Sequence, residues 1–252
     1  MKALITGASS GIGRDMARLL SARGCDLILV ARQEDKLLDL KKILKTDVRV
    51  IPLDLSDPAN CFKLHEMTRE EKVDILINNA GYGLFGAFDQ TSLENELNLI
   101  DLNIKAVHIL TKLFLRDFKD RNSGYILNVA SIAGMIGGGP LLSSYYASKA
   151  YVVRLSQAVY EELRRDRSQV SISVLCPGPV DTNFNDRAGV RFSMPGMKSE
   201  TVARYALQKM FQRKLLIYPG LSVKGALFFR RFLSEKALLK MTYRVQKAKG
   251  AL

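Results

Sequence analysis

Short apolar runs alternate with stretches of helical period along most of this 252-residue chain. Continuous hydrophobic runs at 2–6, 26–31, 48–52, 73–78, 124–130 and 170–176 predict strands, with a weaker candidate at 215–218. Between them, apolar positions recur every three or four residues and predict helices near 11–23, 33–45, 57–70, 93–120 and 145–165. The strands are apolar throughout rather than alternating, as strands are when helices cover both faces. Strand–helix alternation of this kind predicts an α/β fold with a doubly wound parallel sheet. No linker, repeat or low-complexity segment divides the pattern, so residues 1–220 read as one domain and 221–252 as its helical C-terminal extension.

The polar residues that interrupt the pattern fall at the carboxyl ends of the strands, where ligands bind in such sheets. The first strand runs into Thr6-Gly7-Ala8-Ser9-Ser10-Gly11-Ile12-Gly13 and then a helix. A glycine turn in that place lets backbone N–H groups approach a phosphate, with the positive end of the helix dipole behind them. The glycine spacing is not the common G-x-G-x-x-G, but the strand-before, helix-after context is met. It points to a dinucleotide. The second strand ends in Ala31-Arg32, where an acid would hold the ribose of NAD and an arginine can receive a 2′-phosphate. Arg32, with Arg14 as a second partner, therefore favours NADP(H). Asp54-Leu55 follows the third strand and can meet the adenine amine; alternatively Asp54 or Asp57 caps the next helix.

Farther along, Asn79-Ala80-Gly81 after the fourth strand can line the cofactor crevice or simply stabilise a tight loop. Asn103 lies in a helical stretch where asparagine is mildly unfavourable, which hints at another task or a bend. Ser131 ends the fifth strand, and Pro177-Gly178-Pro179-Val180-Asp181-Thr182 forms a rigid turn after the sixth. Tyr145 and Lys149 stand four apart near the start of the long helix, so both point the same way. An ammonium beside a phenol favours the phenolate, which would make Tyr145 a proton donor and acceptor near neutral pH.

These residues, taken in order over roughly 1–182, resemble the short-chain dehydrogenase/reductase family in its single-domain branch. The resemblance implies a seven-stranded parallel sheet in the order 3-2-1-4-5-6-7. It implies Tyr145 as general acid/base, Lys149 as the group that lowers its pKa and binds the nicotinamide ribose, and Ser131 as the anchor of the substrate oxygen. Asn103 is implied to hold a water linking Lys149 to solvent. Gly7, Ser9, Ser10, Gly11, Ile12, Gly13, Arg14, Arg32, Asp54, Leu55, Asn79, Ala80 and Gly81 would bind cofactor, together with Tyr145, Lys149, Pro177, Gly178, Val180 and Thr182. The expected enzyme is an NADP(H)-dependent oxidoreductase interconverting a carbonyl and an alcohol on a hydrophobic molecule. A 3-oxoacyl (acyl-carrier) reductase is the alternative within that class, and a homo-oligomer is the expected assembly. A non-catalytic NADP-binding sensor or scaffold is the alternative outside it, disfavoured because tyrosine, lysine and serine are all kept.

Composition narrows the picture further. The apolar fraction of 47% supports a sizeable core. Cys25, Cys61 and Cys176 are far apart and odd in number, which suits reduced, buried thiols. Two histidines, His65 and His108, give little support to a metal site or a Ser-His-Asp triad. The strand at 2–6 leaves no room for a leader, and no apolar run reaches membrane-spanning length, so a cytoplasmic protein is expected.

Charge is unevenly placed. Twelve of the 38 Lys and Arg lie after residue 200 against one acid, Glu235, so nearly all of the +13 net charge belongs to the last fifth of the chain. There Lys236, Lys240, Arg244 and Lys247 form one helical stripe, with Leu238, Met241 and Val245 on the other side. A basic amphipathic helix suits peripheral membrane contact, a packed face, or less readily nucleic acid. Residues 183–198 read as a substrate lid with an apolar surface of Phe184, Val190, Phe192, Met194 and Met197.

Overall fold

The computed structural model describes residues 1–182 and 196–250. Its sheet takes the strands in the order β3-β2-β1-β4-β5-β6-β9, every neighbouring pair parallel. These are β1 (Lys2–Thr6), β2 (Asp26–Ala31), β3 (Val48–Pro52), β4 (Ile75–Asn78), β5 (Gly124–Val129), β6 (Val170–Leu175) and β9 (Leu216–Ile217). Two further short strands, β7 (Val180–Asp181) and β8 (Met197–Lys198), pair with each other. The order reverses between β1 and β4, and the crevice outside their carboxyl ends is where such sheets take ligands.

Apolar residues fill both faces of the sheet. On one side Ala3, Ile5, Leu27 and Leu29 pack against α1 (Gly11–Ser21), α2 (Glu34–Ile43) and α7 (Ser199–Phe211). On the other, Leu4, Ile28 and Val30 pack against α3 (Pro58–Met67), α5 (Val107–Asp120) and α6 (Ser143–Arg165). Successive strand residues thus alternate between two buried layers, which explains the unbroken hydrophobic runs. The seven-stranded doubly wound fold agrees with expectation, including the weak strand at the edge. That strand is only two residues long, paired through Leu216 to Val174 and Ile217 to Leu175.

Several elements depart from the sequence pattern. Helix α7 was not anticipated; it crosses α1, and Ser199 donates a hydrogen bond to the buried carboxylate of Asp15. The stretch 93–120 is not one helix. It divides into α4 (Leu93–Ile100), a π turn at Asp101–Ala106, and α5. Such bulges inside helices often mark functional positions. Asp57, rather than Asp54, caps α3 by accepting from the Ala59 amide at 2.9 Å. The three cysteines are free and buried.

The C-terminal extension forms α8 (Leu221–Phe229), a 3-10 turn at Arg230–Phe232, and α9 (Glu235–Gly250). Its inward face is Leu238, Thr242 and Gln246. Met241 and Val245, expected on the packed side with Leu238, are about half exposed. The physical reason is that α9 covers a cleft rather than a core, so the inner face is part polar. Among the described residues no helix is long and apolar enough to cross a membrane. Phe184, Val190, Phe192 and Met194 of the expected lid lie outside the described residues. Met197 pairs with Val180 in the β7–β8 ladder.

Candidate active site

The carboxyl ends of the strands open into a cavity of about 930 Å³ roofed in part by α9. Its floor at one end is the turn between β1 and α1. Gly7 and Gly11 there have φ of +65° and +53°, values that favour glycine. A Cβ on Gly13 would come within 2.5 Å of the Gly7 carbonyl oxygen, so the start of α1 closes tightly on the turn. No Ser10 side-chain hydrogen bond caps α1, which leaves the first amides of the helix open to a ligand.

Asn79 braces this turn from β4. Its Nδ2 donates to the carbonyl oxygens of Thr6 at 3.0 Å and Gly7 at 3.1 Å. The Thr6 hydroxyl accepts from the amides of Asn79 at 2.9 Å and Ala80 at 3.0 Å. Both readings of Asn79 are therefore met: it lines the cavity and also locks a loop.

Arg32, Asp54 and Leu55 lie at the far end of the cavity. Arg32 stands 3.6 Å from the Asp54 carboxylate, both side chains being about half exposed. Burial acts to raise the Asp54 pKa, but hydrogen bonds from the Ser56 amide and hydroxyl, with Arg32, outweigh it and hold it below the ordinary value. Arg14 does not line this cavity. It faces a smaller adjoining one of about 200 Å³ and stands 3.3 Å from the Asp15 carboxylate. Lys36, in the first turn of α2 and four residues after Arg32, lines both cavities. Sequence reading missed it; the Arg32-x-x-x-Lys36 spacing was the available signal.

At the other end Ser131, Tyr145 and Lys149 converge. Ser131, two residues past β5, caps a 3-10 turn by accepting from the Ala133 amide at 3.1 Å. Tyr145 and Lys149 share one face of α6, the ammonium 5.8 Å from the phenol ring centre. Lys149 is buried and donates to the Val129 carbonyl at 3.0 Å. Burial pushes the Lys149 pKa down to about 8, partly offset by Cys176. Burial pushes the Tyr145 phenol up to about 12, against a hydrogen bond with Ser131 that lowers it. The expected depression of Tyr145 by Lys149 is therefore not found: removal from water dominates both groups.

Asn103 and Gly13 do not line the cavity. Asn103 is fully buried in the π turn. Its amide donates to the Tyr82 carbonyl at 2.9 Å and the Ser148 hydroxyl at 3.1 Å, and its oxygen accepts from the Tyr82 amide at 3.1 Å. The residue thus ties the bent helix to the loop after β4 and to α6, one residue before Lys149.

The remaining predicted residues, Ser9, Ile12, Ala80, Gly81, Pro177, Gly178, Val180 and Thr182, all line the cavity. So do residues that sequence reading passed over. One is Tyr146, next to Tyr145 on α6, whose hydroxyl accepts from Gln246 Nε2 of α9 at 2.6 Å. Ile136, Leu142, Leu238 and Met241 add apolar wall. The arrangement can hold an extended ligand with phosphates at the glycine turn, and can pass a proton at Tyr145.

Residues 1–190 match the family model described as short chain dehydrogenase. A 3-oxoacyl-[acyl-carrier-protein] reductase of Escherichia coli (strain K12) is 30% identical over 201 residues, covering 77% of this chain and 81% of that protein. A short-chain dehydrogenase from Sphingobium yanoikuyae, solved in complex with NADPH, superposes with a TM-score of 0.81 at 33% identity, over 92% of this chain and 93% of that one. A short chain dehydrogenase/reductase from Burkholderia phymatum, solved in complex with NAD, gives a TM-score of 0.83 at 26% identity over 92% of both chains.

Proposed function

The chain belongs to the short-chain dehydrogenase family of oxidoreductases, and from that premise we propose that it is an NADP(H)-dependent, cytoplasmic enzyme interconverting a carbonyl and an alcohol on a hydrophobic substrate. One observation carries the reading. Ser131, Tyr145 and Lys149 meet at one end of a continuous cleft whose other end holds the glycine turn, Arg32 and Lys36. The residues fit a dinucleotide: open helix amides, a turn that a Cβ would obstruct, and cations beyond it. Bound NADPH supplies hydride to the substrate carbon. Gly7, Ser9, Ser10, Gly11 and Ile12 would hold its phosphates, with Gly13 keeping the start of α1 tight behind them and Asn79, Ala80, Gly81, Pro177, Gly178, Val180 and Thr182 along its length. Leu55 and Asp54 would meet the adenine. Arg32, with Lys36 and Arg14 near, favours the 2′-phosphate.

The chain's own part in the reaction is protonic and electrostatic. Ser131 hydrogen-bonds the substrate oxygen and holds it against Tyr145. The phenol is protonated at neutral pH because burial pushes its pKa to about 12, so it is ready to donate. Donation leaves a phenolate, which Lys149 and Ser131 stabilise as charge shifts onto it. Asn103 positions α6 behind Lys149, and a water on its side is the route by which Tyr145 recovers a proton through Lys149. In the oxidising direction Tyr145 must first lose its proton, so that direction gains as pH rises. The apolar wall of Ile136, Leu142, Leu238 and Met241 supports a hydrophobic substrate. Self-assembly of the chain is part of the same reading.

A second reading, reduction of a 3-oxoacyl thioester, is supported by the 30% identity to the Escherichia coli reductase. Loss of NADPH absorbance, followed with simple apolar ketones and with 3-oxoacyl thioesters, separates the two. Turnover of neither class overturns both. Tyr145→Phe is expected to lower turnover by about 10²–10⁴-fold while NADPH binding persists. Undiminished turnover removes Tyr145 from its role.

A further inference from the structure

The C-terminal helices expose an apolar patch that no described part of the chain covers. Phe228, Phe229 and Phe232 are 54%, 67% and 72% exposed. Their rings pack edge to face, Phe228 lying 5.6 Å from each of the other two. Met241 and Val245, one turn apart on α9, are also exposed. Solvent-facing aromatic clusters of this kind, rimmed by charge, mark interaction surfaces.

The rim is basic. Lys236, Lys240, Arg244 and Lys247 are exposed along the outer side of α9. The one acid after residue 200, Glu235, has its carboxylate against the backbone at Gly137. On a helix these positions place Met241 and Val245 on the flank between the buried face and the cations. The patch is also continuous with the cleft, because Phe229, Leu233, Met241 and Val245 line the cavity as well as meeting solvent.

We propose that this face docks on an anionic lipid bilayer, the phenylalanines entering the interface and the cations meeting the headgroups, so that the cleft mouth opens toward lipid. Helix α9, with 16 residues, lies in the interface plane rather than crossing it. A second copy of this chain is disfavoured as the occupant, since self-apposition would set two basic stripes together. Nucleic acid would answer the charge but not the edge-to-face phenylalanines, which offer no flat platform for bases. Docking stands apart from the reaction; only the delivery of an apolar substrate from the bilayer rests on the function proposed above.

The test uses the full chain and vesicles of phosphatidylcholine with and without phosphatidylserine. Co-sedimentation is expected with the anionic vesicles and is expected to weaken as salt rises. Each cation near an anionic surface contributes roughly fivefold, so Lys236→Gln with Lys240→Gln, Arg244→Gln and Lys247→Gln should weaken partitioning several-hundredfold. Phe228→Ser with Phe232→Ser should weaken it further at high salt, where charge is screened. Both variants should keep full turnover of a water-soluble ketone with NADPH and lose turnover of a ketone dissolved in vesicles. Equal partitioning of the wild type and the four-cation variant overturns the proposal, as does wild type that stays in the supernatant at low salt. Self-association abolished by the phenylalanine substitutions, seen by sedimentation velocity, also overturns it in favour of a second copy. If the soluble ketone is not turned over while vesicle binding follows the pattern above, the functional reading fails and docking stands.

Discussion

Lys149 costs the protein stability, and the size of that cost can be measured. Its ammonium is buried at 4% exposure with one carbonyl, that of Val129, at 3.0 Å. Burial moves its pKa from 10.5 to about 8. At about 1.36 kcal/mol per unit, holding the charged form in the fold costs about 3 kcal/mol relative to the neutral one. Lys149→Met removes the charge, keeps the length of the stem, and leaves the Val129 carbonyl short of a partner, which costs about 1–2 kcal/mol. The variant without cofactor should therefore be more stable than wild type by about 1–2 kcal/mol at pH 7, and catalytically dead.

The pH dependence gives the sign. The folded pKa lies below the unfolded one, so between pH 8 and pH 10.5 the unfolded chain binds more protons at this site. Wild-type stability therefore rises relative to the variant across that window, and the advantage of the variant shrinks or reverses. Below pH 8 both states are charged and the difference is constant. Tyr145, pushed up to about 12 in the fold and titrating near 10 when unfolded, contributes alike to both proteins and cancels in the comparison. Urea unfolding of both proteins without cofactor, at several pH values from 7 to 10.5, reads the effect directly. A variant less stable than wild type at pH 7, or a difference that does not move with pH, refutes the reasoning.

Two further outcomes follow from other parts of the cleft. Arg32→Ala is expected to weaken NADPH about tenfold to a hundredfold and NADH far less, and adding Lys36→Ala should deepen the loss for NADPH alone. Fluorescence titration with both cofactors checks it, and an equal loss for both removes the 2′-phosphate assignment. Gln246→Leu severs the 2.6 Å bond to the Tyr146 hydroxyl and frees α9 from α6. Faster amide hydrogen exchange over 235–250 with little change over 145–165 is expected; unchanged exchange in α9 denies the bond a role in holding that helix over the cleft.

The sheet was legible because each strand carries its own signal. A run such as Leu27–Val30, buried on both faces, is apolar at every position, and no partner is needed to see it. Tyr145 with Lys149, and the glycines of the β1–α1 turn, were legible for the same reason: their geometry is set within a few residues. What failed was whatever depends on a neighbour. The π turn arises because the Asn103 amide is bonded to Tyr82 and Ser148, twenty-one and forty-five positions away. The length of β9 is set by its pairing with β6, not by its own hydrophobicity. The pKa direction at Tyr145 inverted the local expectation because depth in the fold outweighs proximity on a helix.

The tail shows how burial and polarity come apart when an element covers a cleft. Reading amphipathicity assumes that the buried side of a helix is the apolar side. That holds against a core, where an unpaired polar group costs free energy. It does not hold over a cavity that must meet polar ligand atoms. Thr242 and Gln246 are buried in α9 because they face that cavity, and Gln246 finds the Tyr146 hydroxyl there. Met241 and Val245 are displaced to the cleft mouth, beside Phe229 and Leu233. The same helix thus carries three surfaces: a part-polar one on the cleft, an apolar one at its mouth, and a basic one outward. A stripe of cations with apolar residues opposite is the sum of these three projected onto one wheel. Only the fold, by showing that Gln246 points in and Val245 toward the opening, separates them.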